Sequence, residues 1–291
     1  MRNTRKYADP AAAIRNPTIS PIITGVNGLS AMATVYARRG IFTSMTGWSS
    51  LRTVAVLVAI IALGPADRAS AVPAFDMGNV PPGHEIAVFA GGCFWCMQPP
   101  FDPLPGVHDT IVGYTGGALE NPTYRMVSWT ETGHYESVLV IYDPLQVGYR
   151  DLLRAFWVNI NPLDATGQFC DRGTSYRSAV FAATPAQARI AGESLRALIQ
   201  SGWADQFDRP IATPVIPLDT FWVAEDYHQD YARRRPFSYG YYRSRCGRDA
   251  RLRILWGPEE SRDQRIRDLL DEPVTDSRSG GDDSVAPPEE R

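Results

Sequence analysis

The chain has 291 residues, of which 44% are hydrophobic and 21% are charged, and its formal net charge is -3. These proportions are ordinary for a globular protein with a substantial core, and the small net charge gives no electrostatic case for nucleic acid as a partner. Four cysteines in a chain of this length do not make a small disulfide-stapled scaffold, so their spacing must indicate their roles.

Residues 1–72 have the pattern of an amino-terminal leader. Arg52 precedes an apolar run at residues 54–63, and the triplet Ala69-Ser70-Ala71 follows it. A basic residue, a short apolar run and a small-residue cleavage site are typical of a secretory signal peptide, here at about residues 45–71. The run is shorter than the ~20 apolar residues of a membrane-spanning helix. We therefore expect no stable membrane span and export to a bacterial periplasm, or a cytoplasmic location if the leader is not functional.

The elements predicted for residues 80–257 form one folded domain. Alternating or continuous apolar runs predict four strands, at Glu85–Ala90, Val107–Tyr114, Tyr135–Asp143 and Tyr176–Ala183. Helices are predicted to begin at Cys93, to span Tyr149–Ile160, and to follow Thr184-Pro185 with Ala188, Ala191, Leu195 and Leu198 on the buried face. Val215–Val223 is predicted to be extended. The order of the first six elements predicts an α+β two-layer sandwich with a split βαβ, ferredoxin-like core.

The end of the chain has a different composition. Residues 258–291 are acidic, and the stretch Asp271–Arg291 is rich in Asp, Glu, Ser, Gly and Pro. Such a segment has little apolar surface with which to offset its ordering entropy. It is therefore expected to be a disordered tail.

The segment Gly91-Gly92-Cys93-Phe94-Trp95-Cys96 carries the strongest chemical signal. Cys93 is predicted to lie where a strand turns into a helix, and free N–H groups and the helix dipole at that point favour a thiolate, the nucleophilic form of cysteine. The alternative is a cysteine that serves only as a small buried hydrophobic residue. The preceding glycines and the second cysteine three residues later favour a redox role.

This segment resembles the active-site motif of the peptide-methionine (S)-S-oxide reductases, the methionine sulfoxide reductase A family. The resemblance covers roughly residues 85–257. Further segments follow in the family's order: Asn121-Pro122-Thr123-Tyr124, Thr132-Gly133-His134-Tyr135-Glu136, Tyr142-Asp143-Pro144, Gln168-Phe169-Cys170-Asp171-Arg172-Gly173, Tyr176-Arg177-Ser178, Ala224-Glu225-Asp226-Tyr227-His228-Gln229-Asp230-Tyr231 and Cys246-Gly247-Arg248-Asp249. The resemblance implies the α+β fold and the reduction of methionine-S-sulfoxide, free or in oxidised proteins and peptides.

The resemblance also implies the roles of two central residues. Cys93 matches the cysteine that attacks the sulfoxide sulfur, and Glu136 matches the general acid that protonates the departing oxygen. Glu136 begins an apolar strand, where burial would raise its pKa towards a useful value. Spacing alone would favour a solvent-facing carboxylate at this position.

The remaining site residues are likewise implied by the resemblance. Tyr124 and Tyr176 match the two phenols that bind the sulfoxide oxygen, and Asp171 matches the carboxylate that organises the site. Phe94 and Trp95 match the walls of the methyl pocket. These residue types suit the substrate, because an S=O group needs donors and an S–CH3 group needs an apolar surface.

The sulfenic acid left on Cys93 must condense with a second thiol. Cys246 is the first candidate, because family members often place the recycling cysteine near the carboxyl end. Cys96 is the second, as part of a C-x-x-C pair, and Cys170, next to Asp171, is the third. No bound cofactor or metal is implied, and an external thioredoxin-like dithiol is expected to supply the electrons.

Two departures from the family pattern and one histidine have further implications. Gln98 replaces a usual family glutamate, and the lost charge is expected to weaken a favourable interaction with the helix dipole. Trp129-Thr130-Glu131 replaces a stretch that usually contains glycine. The loop before Glu136 is therefore expected to differ from that of the family, and with it access of the substrate to the site. His134 is expected to have a structural or orienting role rather than to act as a base.

Three other functions are compatible with parts of the sequence. A general thiol–disulfide oxidoreductase would use Cys93 and Cys96 but leaves Tyr124, Glu136 and Tyr176 without roles. A zinc-stabilised binding module is numerically possible, yet only one cysteine pair has close ligand spacing. An inactive homologue that binds methionine-rich proteins is the third.

Overall fold

The computed structural model describes residues 72–271. The predicted leader, with its signal peptide, lies outside the described residues, as does the stretch after Asp271. Between Val72 and Asp271 the structure contains no helix of the length and apolar character needed to cross a membrane.

A mixed sheet forms the centre of the fold. Its six strands are β1 (Glu85–Gly91), β2 (Val107–Thr115), β3 (Tyr135–Tyr142), β6 (Ser178–Ala182), β7 (Val215–Pro217) and β8 (Trp222–Val223), and a separate pair consists of β4 (Gly167–Gln168) and β5 (Asp171–Arg172). The sheet order is β7-β6-β1-β3-β2-β8. Strand β3 is antiparallel to both β1 and β2, and β6 is antiparallel to β1. This arrangement confirms the predicted split βαβ core.

The helices occupy the connections and the carboxyl-terminal part of the described chain. They are α1 (Phe94–Met97), α2 (Tyr124–Trp129), α3 (Tyr149–Trp157), α4 (Pro185–Gln200), α5 (Tyr231–Arg234), α6 (Pro236–Cys246), α7 (Arg248–Trp256) and α8 (Glu259–Asp271). Helix α4 begins as predicted, with Thr184 as its cap. Its buried face was predicted wrongly at Ala188, which is exposed. Gln187 is buried instead, because its side-chain amide donates to the Ile86 carbonyl.

The two faces of the sheet are covered differently. Helices α3, α4, α7 and α8 bury one face, around side chains such as Phe89, Trp157 and Trp256. The other face is covered by the segments before β1 and around β7 and β8, where Phe221 packs on the sheet. The Phe75 N–H donates to the Phe221 carbonyl, so the folded domain includes residues before the predicted start at residue 80.

Helix α8 corrects the predicted boundary of the tail. The composition predicts a disordered segment from residue 258, but residues 259–271 form a helix whose Ile266 is fully buried in the main core. Leu269 and Leu270 pack beside it. The average composition of this stretch is strongly charged, which conceals the few apolar residues that anchor one face.

Gln98 also differs from its predicted role. Helix α1 ends at Met97, so Gln98 follows the helix instead of lying in its first turn. Its buried amide donates to the carbonyl and to the hydroxyl of Thr110, each at 3.1 Å, and accepts the Asp230 N–H at 3.1 Å. Gln98 therefore connects α1 to β2 and to the segment before α5. The predicted loss of a favourable helix-dipole interaction does not apply, because Gln98 lies after the helix and not in its first turn.

Candidate active site

Cys93 lies at the junction of β1 and α1, where the chain turns sharply. The turn requires glycine at position 92, because φ is +85° there and a Cβ would approach the Cβ of Gln168 to 2.6 Å. Cys93 is a free thiol, only 6% exposed. Its neighbour Cys96 is also free and buried, and the two side chains share a hydrogen bond.

The predicted stabilisation of a Cys93 thiolate by the helix start is not what the structure contains. Helix α1 has four residues, and the Phe94 N–H at its start donates to Glu136 Oε2 at 3.1 Å rather than to sulfur. Burial, together with the neighbouring Cys96 and Glu136, raises the pKa of Cys93 well above its usual value. The pKa of Cys96 instead falls to about 6, chiefly because Cys93 donates a hydrogen bond to it and secondarily because Arg248 is near.

Glu136, the second residue of β3, is 1% exposed. Burial raises the pKa of its carboxyl to about 8, against the smaller opposing effect of the Phe94 N–H. A carboxyl with this pKa keeps its proton at neutral pH, and a neutral carboxyl can donate that proton to a developing oxyanion.

Two phenols stand near the carboxyl. Tyr124 begins α2, which is fixed by a hydrogen bond of 2.8 Å from the Tyr124 N–H to Glu225 Oε1. Tyr176 ends a short 3-10 turn at Thr174–Tyr176. Burial and, after it, the charge of Glu136 raise the pKa of both phenols, and the two side chains interact with each other. Both therefore stay protonated and can act as hydrogen-bond donors.

Aromatic rings line the same site. Phe94 is fully buried, and Trp95 stacks on Tyr231 with ring centroids 3.8 Å apart. The Trp95 indole donates to His228 Nδ1 at 3.1 Å. Burial lowers the pKa of His228 to about 4, so the imidazole is neutral and can accept this bond. His228 and Tyr231 lie in the Ala224–Tyr231 segment, whose resemblance to the family implied no role for either residue.

A disulfide joins the other two cysteines, Cys170 and Cys246, whose Cα atoms are 4.9 Å apart. Asp171 lies against it, with Oδ1 3.7 Å from the Cys170 sulfur and Oδ2 4.0 Å from the Cys246 sulfur. The Tyr242 hydroxyl donates to Asp171 Oδ2 at 2.7 Å and also interacts with Cys93. Tyr242 thus connects the disulfide to the buried cysteine pair. No sequence motif pointed to this residue.

Some side chains of the described residues are of types that bind metal ions. Over the described part of the chain, the one group with converging donor atoms is Cys170, Asp171 and Cys246, within 4.8 Å of one another. The disulfide already uses both sulfurs, so this group does not support a zinc module. His134 has the structural role expected of it, because Nδ1 accepts the Gly117 N–H and Nε2 lies 2.8 Å from the Leu119 carbonyl.

Comparisons with known proteins agree with this geometry. The family model for peptide methionine sulfoxide reductase matches residues 85–260. The chain belongs to the peptide methionine sulfoxide reductase family. A reductase of Caulobacter vibrioides is 49% identical over 179 residues, which cover 60% of this chain and 87% of the relative. One of Bacillus licheniformis is 47% identical over 174 residues, which cover 60% and 94%.

A solved structure supports the same family. Methionine sulfoxide reductase A of Corynebacterium diphtheriae matches with a TM-score of 0.51 and 36% identity, over 54% of this chain and 77% of that one. The protein is therefore an oxidoreductase that reduces methionine-S-sulfoxide to methionine with thiol chemistry. A general thiol–disulfide oxidoreductase would leave the buried Glu136 and the two phenols beside it unexplained.

The buried carboxyl makes stability depend on pH. Between pH ~4.3, where an unfolded glutamate loses its proton, and pH 8, the folded chain keeps a proton that the unfolded chain has released. The folded state is thus progressively disfavoured as pH rises through this range. Relative to wild type, Glu136→Gln should gain about 3–5 kcal/mol between pH 4.5 and 8.5. Urea unfolding at both pH values measures this. The exposed Glu131→Gln should show little such gain, and an equal gain in both variants would contradict the assignment.

Proposed function

We propose that Cys93 is the nucleophile of the reduction. Its sulfur bonds to the sulfoxide sulfur while the S–O bond breaks, and the oxygen, protonated by Glu136, leaves as hydroxide. Hydroxide then attacks the Cys93 sulfur and the new S–S bond breaks, which yields methionine and a sulfenic acid on Cys93. The support is the position of Cys93 beside a neutral acid, Glu136, and beside a thiolate, Cys96. Cys96 takes the proton that Cys93 gives up as its sulfur attacks.

Glu136 protonates the departing oxygen while Tyr124 and Tyr176 hold it. All three groups are protonated near neutral pH, so each can donate a hydrogen bond to an oxygen on which negative charge develops. Phe94 and Trp95 provide the apolar surface for the methyl group. Because oxygen, methyl group and the rest of the side chain occupy different positions around sulfur, this arrangement accepts one epimer, and the methionine sulfoxide reductase A relatives indicate the S-epimer.

Asp171 has the organising role in this proposal. Burial raises the pKa of its carboxyl, and the Tyr242 hydroxyl that donates to it opposes this rise. Through Tyr242, Asp171 fixes the side of the site that faces the Cys170–Cys246 disulfide.

We further propose that Cys96 resolves the sulfenic acid. The resemblance made Cys246 the first candidate for the resolving cysteine, but Cys246 is bonded to Cys170. Cys96 forms no disulfide and shares a hydrogen bond with Cys93. Cys96, which now carries the proton taken from Cys93, attacks the Cys93 sulfenic acid; its proton passes to the leaving hydroxyl group, and a disulfide and water form. The reduced form of the Cys170–Cys246 pair then reduces this disulfide by thiol exchange and becomes oxidised itself.

The exposed Cys170 places this second disulfide within reach of an external donor. We infer that a thioredoxin-like dithiol reduces it and that no cofactor is held by the protein. The substrates are proteins or peptides with oxidised methionine, and free methionine sulfoxide is included.

We also infer that the protein is exported to a bacterial periplasm. The support is the leader pattern that ends at Ala69-Ser70-Ala71, together with the buried Val72, which packs in the same small cluster as Phe94. Amino-terminal sequencing of the protein from a periplasmic extract should find a chain that begins at Val72. An intact leader on active protein in the cytoplasm would contradict export.

A single-turnover assay tests the reaction. Prereduced protein should convert the S-sulfoxide of an N-acetylated methionine and leave the R-sulfoxide unchanged. Cys93→Ser should abolish the conversion, and Glu136→Gln should slow it about 10²–10⁴-fold, because the amide keeps the Phe94 hydrogen bond but cannot give up a proton. Conversion by Cys93→Ser, or equal conversion of both epimers, would refute the assignment.

Trapping of the sulfenic acid tests the resolving cysteine. After one turnover in the presence of dimedone, Cys96→Ser should carry the label on Cys93, because no thiol condenses with the sulfenic acid in time. Cys246→Ser should form the Cys93–Cys96 disulfide and remain unlabelled. Mass spectrometry of peptides distinguishes these results, and the opposite pattern would make Cys246 the resolving residue.

A further inference from the structure

A cavity of about 260 Å³ lies beside the disulfide and is lined by Cys246 but not by Cys170. Phe169 supplies an apolar wall, and Arg172 and Arg251 supply cationic groups. The volume is below the ~300–1,000 Å³ of typical ligand pockets, so it admits a small molecule and not a folded protein. None of the proposed catalytic residues lines it.

The charge of this cavity comes from one side chain. Arg172 is neutralised by Asp164, with Nη1 2.7 Å from Oδ2, and its Nη2 donates to the Phe169 carbonyl. Arg251 forms no ion pair with any carboxylate between residues 72 and 271. Its guanidinium lies 5.9 Å from the centroid of the Phe207 ring. The cavity therefore combines a disulfide sulfur with one cation that is available to an anion.

We propose that this cavity binds a small thiol that carries a carboxylate, which pairs with Arg251 while the thiol sulfur attacks Cys246. The inference rests on the proposed function and adds a small thiol, as a second class of reductant, to the thioredoxin-like dithiol that acts on the same disulfide. The reaction at that disulfide can nevertheless be measured without any sulfoxide.

The chemistry balances as two thiol exchanges. The bound thiolate attacks the Cys246 sulfur, the bond to Cys170 breaks, and Cys170 leaves as a thiolate that takes a proton from water. Cys170 suits this role because it is exposed and its thiolate is solvated. A second thiolate then attacks the thiol's sulfur in the mixed disulfide and releases Cys246. Two small thiols become one small disulfide, and the protein disulfide becomes two thiols.

A charge series of thiols tests the proposal on the oxidised full chain. The probes are 3-mercaptopropionate, 2-mercaptoethanol and cysteamine, which are anionic, neutral and cationic. Each rate of reduction of the Cys170–Cys246 disulfide is divided by the rate of the same thiol with a neutral model disulfide. The anionic probe should react about three- to tenfold faster than the cationic one, as expected for one partly exposed charge pair.

Matched variants assign the effect to the cavity. Arg251→Glu should reverse the preference, and Arg251→Lys should keep it. Arg253→Glu makes the same change of net charge at an exposed position on α7 that does not line the cavity, and it should leave the preference intact. Peptide mapping after an acid quench should find the mixed disulfide on Cys246.

Several outcomes would overturn the proposal. These are an equal effect of Arg251→Glu and Arg253→Glu, an adduct on Cys170, the absence of any charge preference, or the absence of a Cys170–Cys246 disulfide in the oxidised chain. If the wild-type protein shows the thiol preference but reduces no sulfoxide, the cavity is supported and the proposed function fails.

Discussion

The hydrogen bond from the Phe94 N–H to the Glu136 carboxyl joins the two halves of the site. One partner is the first residue of the short helix after Cys93, and the other lies inside the central sheet. This bond gives the buried carboxyl one donor, which partly offsets the cost of burial. Burial nevertheless dominates, so the carboxyl holds its proton at neutral pH. The proposed nucleophile and the proposed acid are thus held relative to each other by a hydrogen bond from the backbone beside Cys93 to the Glu136 side chain.

The two cysteine pairs differ in burial and in bonding. Cys93 and Cys96 are buried free thiols, while Cys170 is exposed and bonded to Cys246. Arg248 stands between the two regions: it is 1% exposed, directly follows the Cys246-Gly247 step, and donates to the Gly91 carbonyl and to Met97 on the active-site side. Since it forms no ion pair among residues 72–271, its charge is available to the Cys96 thiolate. An external reductant can therefore react at the surface without opening the buried pair to solvent.

Much of the fold was predictable, because it rests on local patterns. Apolar runs located β1, β2 and β3, and an amphipathic spacing located α3. Helix α6 could not be found in this way, because none of its residues is buried and it has no apolar face. Helix α8 was missed for a related reason: a few apolar residues anchor a segment that is otherwise charged.

The candidate site residues were also predictable only where they belong to a sequence motif. Motifs located Cys93, Glu136 and the two tyrosines, but Tyr242 belongs to no motif and acts through tertiary contacts alone. The partner of Cys246 was also beyond the sequence, because 76 residues separate it from Cys170 and spacing does not determine disulfide connectivity. The prediction of a thiolate at Cys93 was wrong because the N–H group at the helix start that would stabilise it donates to Glu136 instead.

The raised pKa of Cys93 has a chemical consequence. Oxidation of cysteine by soluble oxidants follows thiolate character and exposure, and Cys93 has little of either. A sulfoxide in the site provides what an oxidant in solution does not, namely an oxygen placed beside Glu136 and the phenols. In the proposed reaction, the thiol loses its proton to Cys96 as Glu136 protonates the oxygen, so charge does not accumulate in the buried site. A nucleophile with low intrinsic reactivity suits an enzyme that must work under oxidising conditions, because in this proposal its reactivity depends on the substrate that it repairs.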